Sequence, residues 1–200
     1  EQVWTTLAKR DRESTMADQA RYKLAQAASN AGDHEAAITY YDQILQSDRD
    51  AGLIPYARYG RGWSLMQQGK HPQAIEALSQ LIDEQPEHPL GDDALIARGI
   101  SHRTVGNLQA AETDLMAYLD LKPTGVNLGH ALYEMALVDQ QLKRYDKAVE
   151  RLQRLVSEVP DYRNMDKVLY ELGWSLSEVG KDDEAAERFG ELLKDYPDTP

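Results

Sequence analysis

Apolar residues recur at steps of three and four along most of this chain, the spacing of a single helix face. In Tyr170-Glu-Leu172-Gly173-Trp174-Ser-Leu176 they mark one such face. After Gly180-Lys-Asp-Asp, the residues Ala185, Phe189, Leu192 and Leu193 mark another. The pattern predicts a helix, a tight turn, a second helix, and then a break at proline. Glycine suits the turn, because the chain leaves the first helix in a left-handed conformation. Pro55 and Pro72 fit the first turns of helices.

The same unit is written several times. "RGWSLMQQG" (61–69) returns as "LGWSLSEVG" (172–180), 111 residues later, which is three steps of 37. At that step the turn column reads Gly32, Gly69, Gly106, Lys143, Gly180. Alanine fills the next column without exception: Ala37, Ala74, Ala111, Ala148 and Ala185. A third column holds only small residues: Ala25, Gly62, Gly99, Ala136 and Gly173. A fourth reads Tyr22, Tyr59, Ile96, Tyr133 and Tyr170, and a fifth Arg49, Pro86, Pro123, Pro160 and Pro197. Agreement across five columns identifies an internal repeat. Small residues are required where two antiparallel helices approach closely. Gly173 and Ala185 are expected at that crossing, with Leu172 and Phe189 filling the space beside it. Lys143 breaks the glycine rule, so the fourth turn is expected to be strained or differently shaped.

The small residue (Gly62, Gly99, Gly173), the turn glycine, the alanine opening the second helix and the closing proline together resemble the tetratricopeptide repeat family. The resemblance covers almost the whole chain. It implies an all-α fold, a right-handed α-solenoid of antiparallel helix pairs with a 37-residue period. The family's usual period is shorter by about three residues. The surplus is expected between repeats, in stretches such as "DEQPEHPLGDD" and "SEVPDYRNMDK". Closing phrases such as "LLKDYPDTP" are similar to those of bacterial envelope members of the family, the periplasmic Tol-associated protein and the outer-membrane assembly lipoprotein.

The repeats are placed at about 18–54, 55–91, 92–128, 129–165 and 166–200, as one solenoid domain. One period before Tyr41, Ile44 and Leu45 stand Trp4, Leu7 and Ala8, apolar as the repeat demands. Residues 1–14 therefore read as the second helix of a truncated preceding repeat. No polar capping helix follows the last repeat, although arrays usually need one. The chain is expected to be an excerpt of a longer protein, with association of its ends with another copy as the alternative.

Composition narrows the partners. Asp and Glu outnumber Lys and Arg 34 to 22, a formal charge of -12, against the basic face that nucleic-acid binding requires. The same balance disfavours a grip on anionic lipid. No apolar run approaches the ~20 residues that cross a bilayer, so no direct membrane insertion is expected of this segment. Cysteine is absent, which excludes disulfides, thiolate metal sites and cysteine nucleophiles.

Catalytic and metal-site signatures are missing, and no catalytic residue, metal or cofactor is expected. The five histidines, at 34, 71, 88, 102 and 130, supply no pair at helical ligand spacing with a carboxylate third ligand. His34 and His71 occupy one place in successive repeats, beside the turn, and read as structural. Asp92-Asp93 and Asp182-Asp183 fall where helices start, where acids favour the helix N-terminus.

In the family that the chain resembles, the first helices of the repeats line a concave wall. Three columns are expected there: the one containing Tyr22, Tyr59, Tyr133 and Tyr170; Gln26, Trp63, Ile100, Leu137 and Trp174; and Gln19, Tyr56, Asp93, His130 and Lys167. Met66 and Arg103 come from the following turn. The candidate binding residues are thus Tyr22, Tyr56, Tyr59, Trp63, Met66, Ile100, Arg103, His130, Tyr133, Lys167, Tyr170 and Trp174. Two Trp and five Tyr offer wide, rigid contact area with polar tips, suited to an extended peptide or a partner helix. Some family members clamp a peptide's carboxylate with Lys, Asn and Arg in these columns. Here the columns are aromatic or aliphatic, against such a clamp. Packing of the tyrosines against the neighbouring repeat is the alternative. The expected function is protein–protein interaction in a bacterial periplasm or cell envelope; a cytoplasmic adaptor, or the non-catalytic arm of a larger enzyme, are the alternatives.

Overall fold

The computed structural model describes residues 2–10 and 14–198. Among them are eleven helices and no strand: α1 (Gln2–Arg10), α2 (Thr15–Asn30), α3 (His34–Ser47), α4 (Ile54–Gln67), α5 (His71–Glu84), α6 (Leu90–Thr104), α7 (Leu108–Asp120), α8 (Gly125–Gln141), α9 (Tyr145–Glu158), α10 (Met165–Glu178) and α11 (Asp182–Asp195). This is the expected all-α array of helix pairs. The chain divides into two compact units, Glu1–Gly106 and Asn107–Pro200. In the first, each helix from α1 to α6 packs on the next, and α4 also touches both α2 and α6. In the second, α7 to α11 pack in the same successive way.

The period is visible in the helix bounds. First helices α2, α4, α6, α8 and α10 end at 30, 67, 104, 141 and 178. Second helices start at 34, 71, 108, 145 and 182. Both series step by 37. First-helix starts do not keep this step, so the surplus residues are taken up between repeats, as their sequences suggested.

The turn explains the fixed register. Gly32, Gly69, Gly106 and Gly180 have φ between 70° and 82°, and Lys143 has φ 57°. Every one donates its N–H to the carbonyl three residues back, as Gly69 does to Met66 and Lys143 to Gln140. At four of the five turns the next residue closes an outer bond to the carbonyl five back: Asp33 to Ala28, Lys70 to Leu65, Arg144 to Asp139 and Lys181 to Leu176. This pair of bonds satisfies the carbonyls left over at a helix end. Of the two shapes expected for the fourth turn, the structure has the same left-handed shape as the others, adopted by a residue with a Cβ. An L side chain there carries strain of about 1–2 kcal/mol. Asp139, fully buried, holds this turn from below: its carboxylate accepts from Arg151 Nε at 2.7 Å and lies 2.9 Å from Arg144 Nη2. Arg144 also reaches Glu112 at 2.9 Å.

The small columns are crossing points. Ala37, Ala74, Ala111, Ala148 and Ala185 are all buried. A Cβ added to Gly62 would come 2.7 Å from Leu78, and one on Gly173 would come 2.8 Å from Phe189. Phe189 lies against Gly173 as expected, and Leu172 is buried beside it. At the start of the chain, α1 is helical and packs on α2, with Trp4 exposed and Leu7 half-buried. The side chain of Ala8, residues 11–13 and residues 199–200 lie outside the described parts.

Candidate functional site

In the first unit, α2 and α4 stand side by side and turn four of the expected aromatics to one place. Tyr22, Tyr56, Tyr59 and Trp63 line a pocket of about 410 Å³ with Gln26, Tyr41 and Leu90. The Tyr22 ring lies 6.0 Å from that of Tyr56 and 6.3 Å from that of Tyr41. Gln26 donates Nε2–H to the Tyr22 hydroxyl at 3.1 Å, which gives a polar residue a reason to occupy that column. Trp63 keeps 40% of its surface exposed. Tilted and edge-on contacts of this kind are the arrangements aromatic rings prefer.

Burial shapes the pocket's electrostatics. It pushes the phenols of Tyr41 and Tyr59 up to about 12, with a smaller push from Tyr22 on the first and Asp93 on the second. Tyr22 is raised by burial and then by Tyr56. Asp93, one turn after Leu90 on α6, is raised by burial and by its neighbour Asp92. Asp93 therefore lies near enough to the pocket to act on the Tyr59 phenol.

The remaining expected residues of this unit lie apart from the pocket. Met66 is half-buried and packs against two core clusters, one around Leu78 and Leu81 and one around Leu65 and Ala74. Ile100 and Arg103 are half-buried on α6.

In the second unit the expected residues form ring pairs. His130 stands edge-on to Tyr162 at 5.5 Å, its Nδ1 3.3 Å from the Tyr162 hydroxyl. Tyr133 is half-buried against the core cluster, 6.4 Å from the same ring. Trp174, 37% exposed, meets the edge of Tyr145 at 5.4 Å. Tyr170, 54% exposed, leans on Phe189 at 6.2 Å, and Lys167 is exposed. The tyrosine column is thus half-buried at 22, 59 and 133 and exposed at 170.

Four rings escaped the sequence reading. Tyr41 comes from a second helix, where the other repeats carry Leu78, Leu115, Leu152 and Phe189. His88 and Tyr162 come from the linkers that hold the surplus residues, and Tyr145 opens α9. His88 stands edge-on to Tyr56 at 5.1 Å, and Tyr162 does the same to His130. These pairs lie two periods apart with Tyr and His exchanged. The available signal was a glycine outside the small column. A Cβ on Gly60 would run into the Tyr41 ring, and one on Gly129 would come 2.6 Å from Tyr162.

The histidines beside the turns serve packing between repeats. His71 Nδ1 lies 3.4 Å from Ser101 Oγ on the next first helix. One period earlier, His34 Nδ1 and Ser64 Oγ are buried without a partner. Asp92-Asp93 and Asp182-Asp183 lie in the first turns of α6 and α11. Among the described residues, no three His, Asp or Glu side chains converge on a cation site, and no helix is long and apolar enough to cross a membrane.

Family models described as tetratricopeptide repeat match residues 18–50, 59–126, and 130–162 with 167–199. No curated protein matches the chain. Among solved structures, MamA 41-end from Desulfovibrio magneticus RS-1 is 20% identical, with a TM-score of 0.76 over 88% of this chain and 93% of that one. A tetratricopeptide repeat protein from Parabacteroides merdae ATCC 43184 is 18% identical, with a TM-score of 0.76 over 96% of this chain and 71% of that one. YrrB, described as a TPR protein with an unusual peptide-binding site, is 16% identical, with a TM-score of 0.73 over 98% of this chain and 93% of that one.

Proposed function

The chain belongs to the tetratricopeptide repeat family, and from that premise we propose that it is a non-catalytic scaffold that takes an extended peptide or a partner helix on the aromatic wall of its first helices. The observation that carries this reading is the pocket around Tyr22, Tyr56, Tyr59 and Trp63. Tyr22 is held by ring contacts with Tyr41 and Tyr56, and Trp63 on the same pocket remains 40% exposed. An exposed indole beside rings already held in place is the kind of residue that anchors an interface. The peptide site described for YrrB belongs to a protein that shares the fold, and lends support in kind.

The test is selection of random dodecapeptides on the immobilised chain. Binders should be retained by the wild type and lost on Trp63→Ala. Selected peptides that hold equally well to both proteins would refute the wall as the binding surface.

A bacterial periplasmic or envelope setting is part of the same proposal, supported by the closing phrases alone. Fractionation of the native host, with antibody detection of the full-length protein, should find it outside the cytoplasm; recovery in the cytosol would favour the adaptor reading. Self-association through α11 has one support. Leu193 is 73% exposed, whereas Leu45, Ile82, Leu119 and Val156 in its column are half-buried. Sedimentation velocity should then show a concentration-dependent species that Leu193→Glu abolishes.

A further inference from the structure

We infer that the pocket of the first unit is built for a basic side chain, and that the partner presents an arginine or lysine to it from an extended segment. This rests on the wall being a binding surface and adds the chemistry of what binds. None of the side chains lining the pocket carries a positive charge. Two of its rings, Tyr56 and Trp63, are exposed, and aromatic faces attract an ammonium or guanidinium through the ring quadrupole. The Tyr22 ring already does: the Lys23 ammonium sits 5.9 Å from its centre.

An anion stands near the pocket. Leu90 lines the pocket and Asp93 follows one helical turn later on the same face of α6, near enough to act on the Tyr59 phenol. Burial and then the neighbouring Asp92 both disfavour the ionised form of Asp93. A bound cation would favour the ionised form of Asp93. The apolar stem of Arg or Lys matches the ring walls, and its head matches the Asp93 carboxylate. An acidic peptide would meet phenols and the Asp93 carboxylate, with Lys23 on the Tyr22 ring as its one cation among the contacts described. The chain's charge of -12 steers a basic segment toward it and an acidic one away.

The experiment titrates the whole chain with three synthetic nonapeptides of one Gly-Ser backbone, differing only at the centre: arginine, norleucine or glutamate. The readout is the indole N–H resonance of Trp63, identified by Trp63→Phe. The arginine peptide should shift it saturably. Asp93→Asn should weaken that binding about five-fold, the size expected for one ring-flanked ion pair, while Lys23→Ala should leave it unchanged or tighter. Equal binding of the norleucine peptide, or no loss with Asp93→Asn, overturns the cation assignment and leaves the wall as an apolar binding surface. Tighter binding of the glutamate peptide overturns it outright. If none of the three moves the Trp63 resonance and dodecapeptide selection is also indifferent to Trp63, the wall itself is not a binding surface.

Discussion

The ring of Tyr41 occupies the space that a side chain on Gly60 would need. The other repeats place leucine or phenylalanine at the position of Tyr41, and Lys23, Ala97, Glu134 or Glu171 at the position of Gly60. The two departures from the repeat therefore belong together. Gly60→Ala should destabilise by ~1–3 kcal/mol through overpacking. In a Tyr41→Leu background most of that cost should vanish, because leucine is shorter than the ring. Urea unfolding of the four proteins measures the coupling. Additive effects would mean that Tyr41 yields to the methyl group without cost.

Lys143 is the one turn residue of the five that carries a side chain in the left-handed region. Lys143→Gly removes that strain but adds backbone freedom to the unfolded chain, so the net gain should be about 0.5–1 kcal/mol. Gly180→Ala should lose a similar amount, since it introduces the strain that Lys143 bears. Paired denaturation curves compare the two. A loss on Lys143→Gly would show that the lysine side chain contributes contacts worth more than its strain.

The repeat columns carried the fold because each states a steric requirement that recurs. A left-handed turn asks for glycine, a crossing asks for alanine, and five copies repeat the request. The pocket was half legible for the same reason. Tyr22, Tyr56, Tyr59 and Trp63 could be placed on one wall because first-helix columns share a face. Tyr41 could not, because it reaches the pocket from a second helix, over a glycine whose meaning appears only in three dimensions. His88 and Tyr162 were hidden in linkers, where helical spacing no longer assigns a direction. The exchange of Tyr and His between the 56–88 and 130–162 pairs left no common residue type for a column to show. The Asp139 network was invisible too, since Asp139 stands where other repeats have Ala28, Leu65, His102 and Leu176.

Ala148 is fully buried at the crossing of α8 and α9. Ala148→Leu should cost ~1–3 kcal/mol, because three carbons are added at a site with no exposed surface. Thermal unfolding decides this. An unchanged midpoint would mean that the second helix can slide outward freely, against the register seen here.

Alkaline pH should unfold the chain through its buried phenols. Tyr41, Tyr59 and Tyr162 are raised from 10.0 to about 12, each chiefly by burial. The folded state therefore holds these protons longer than the unfolded state does. Their contribution is intact below pH 10 and is lost as pH climbs from there through about 12. Tyrosinate absorbance should show a late step that coincides with loss of helical circular dichroism. Complete ionisation near pH 10 with the helices intact would contradict the burial of these three rings.

Trp63 and Trp174 hold the same repeat position, which Gln26, Ile100 and Leu137 fill elsewhere. The repeat does not require tryptophan there, and both indoles keep more than a third of their surface exposed. The double variant Trp63→Ala with Trp174→Ala should therefore lower the melting temperature by no more than about 5 °C, yet abolish retention of the selected peptides. The single variants separate the two places. Trp63→Ala removes the open face of the pocket shared with Tyr22, Tyr56 and Tyr59, and should account for most of the loss. Trp174→Ala removes an edge contact with Tyr145 and should have the smaller effect on peptides that carry one basic anchor. Collapse of the folded state in the double variant would instead make both indoles core residues, and the wall would then have no anchor to offer a partner.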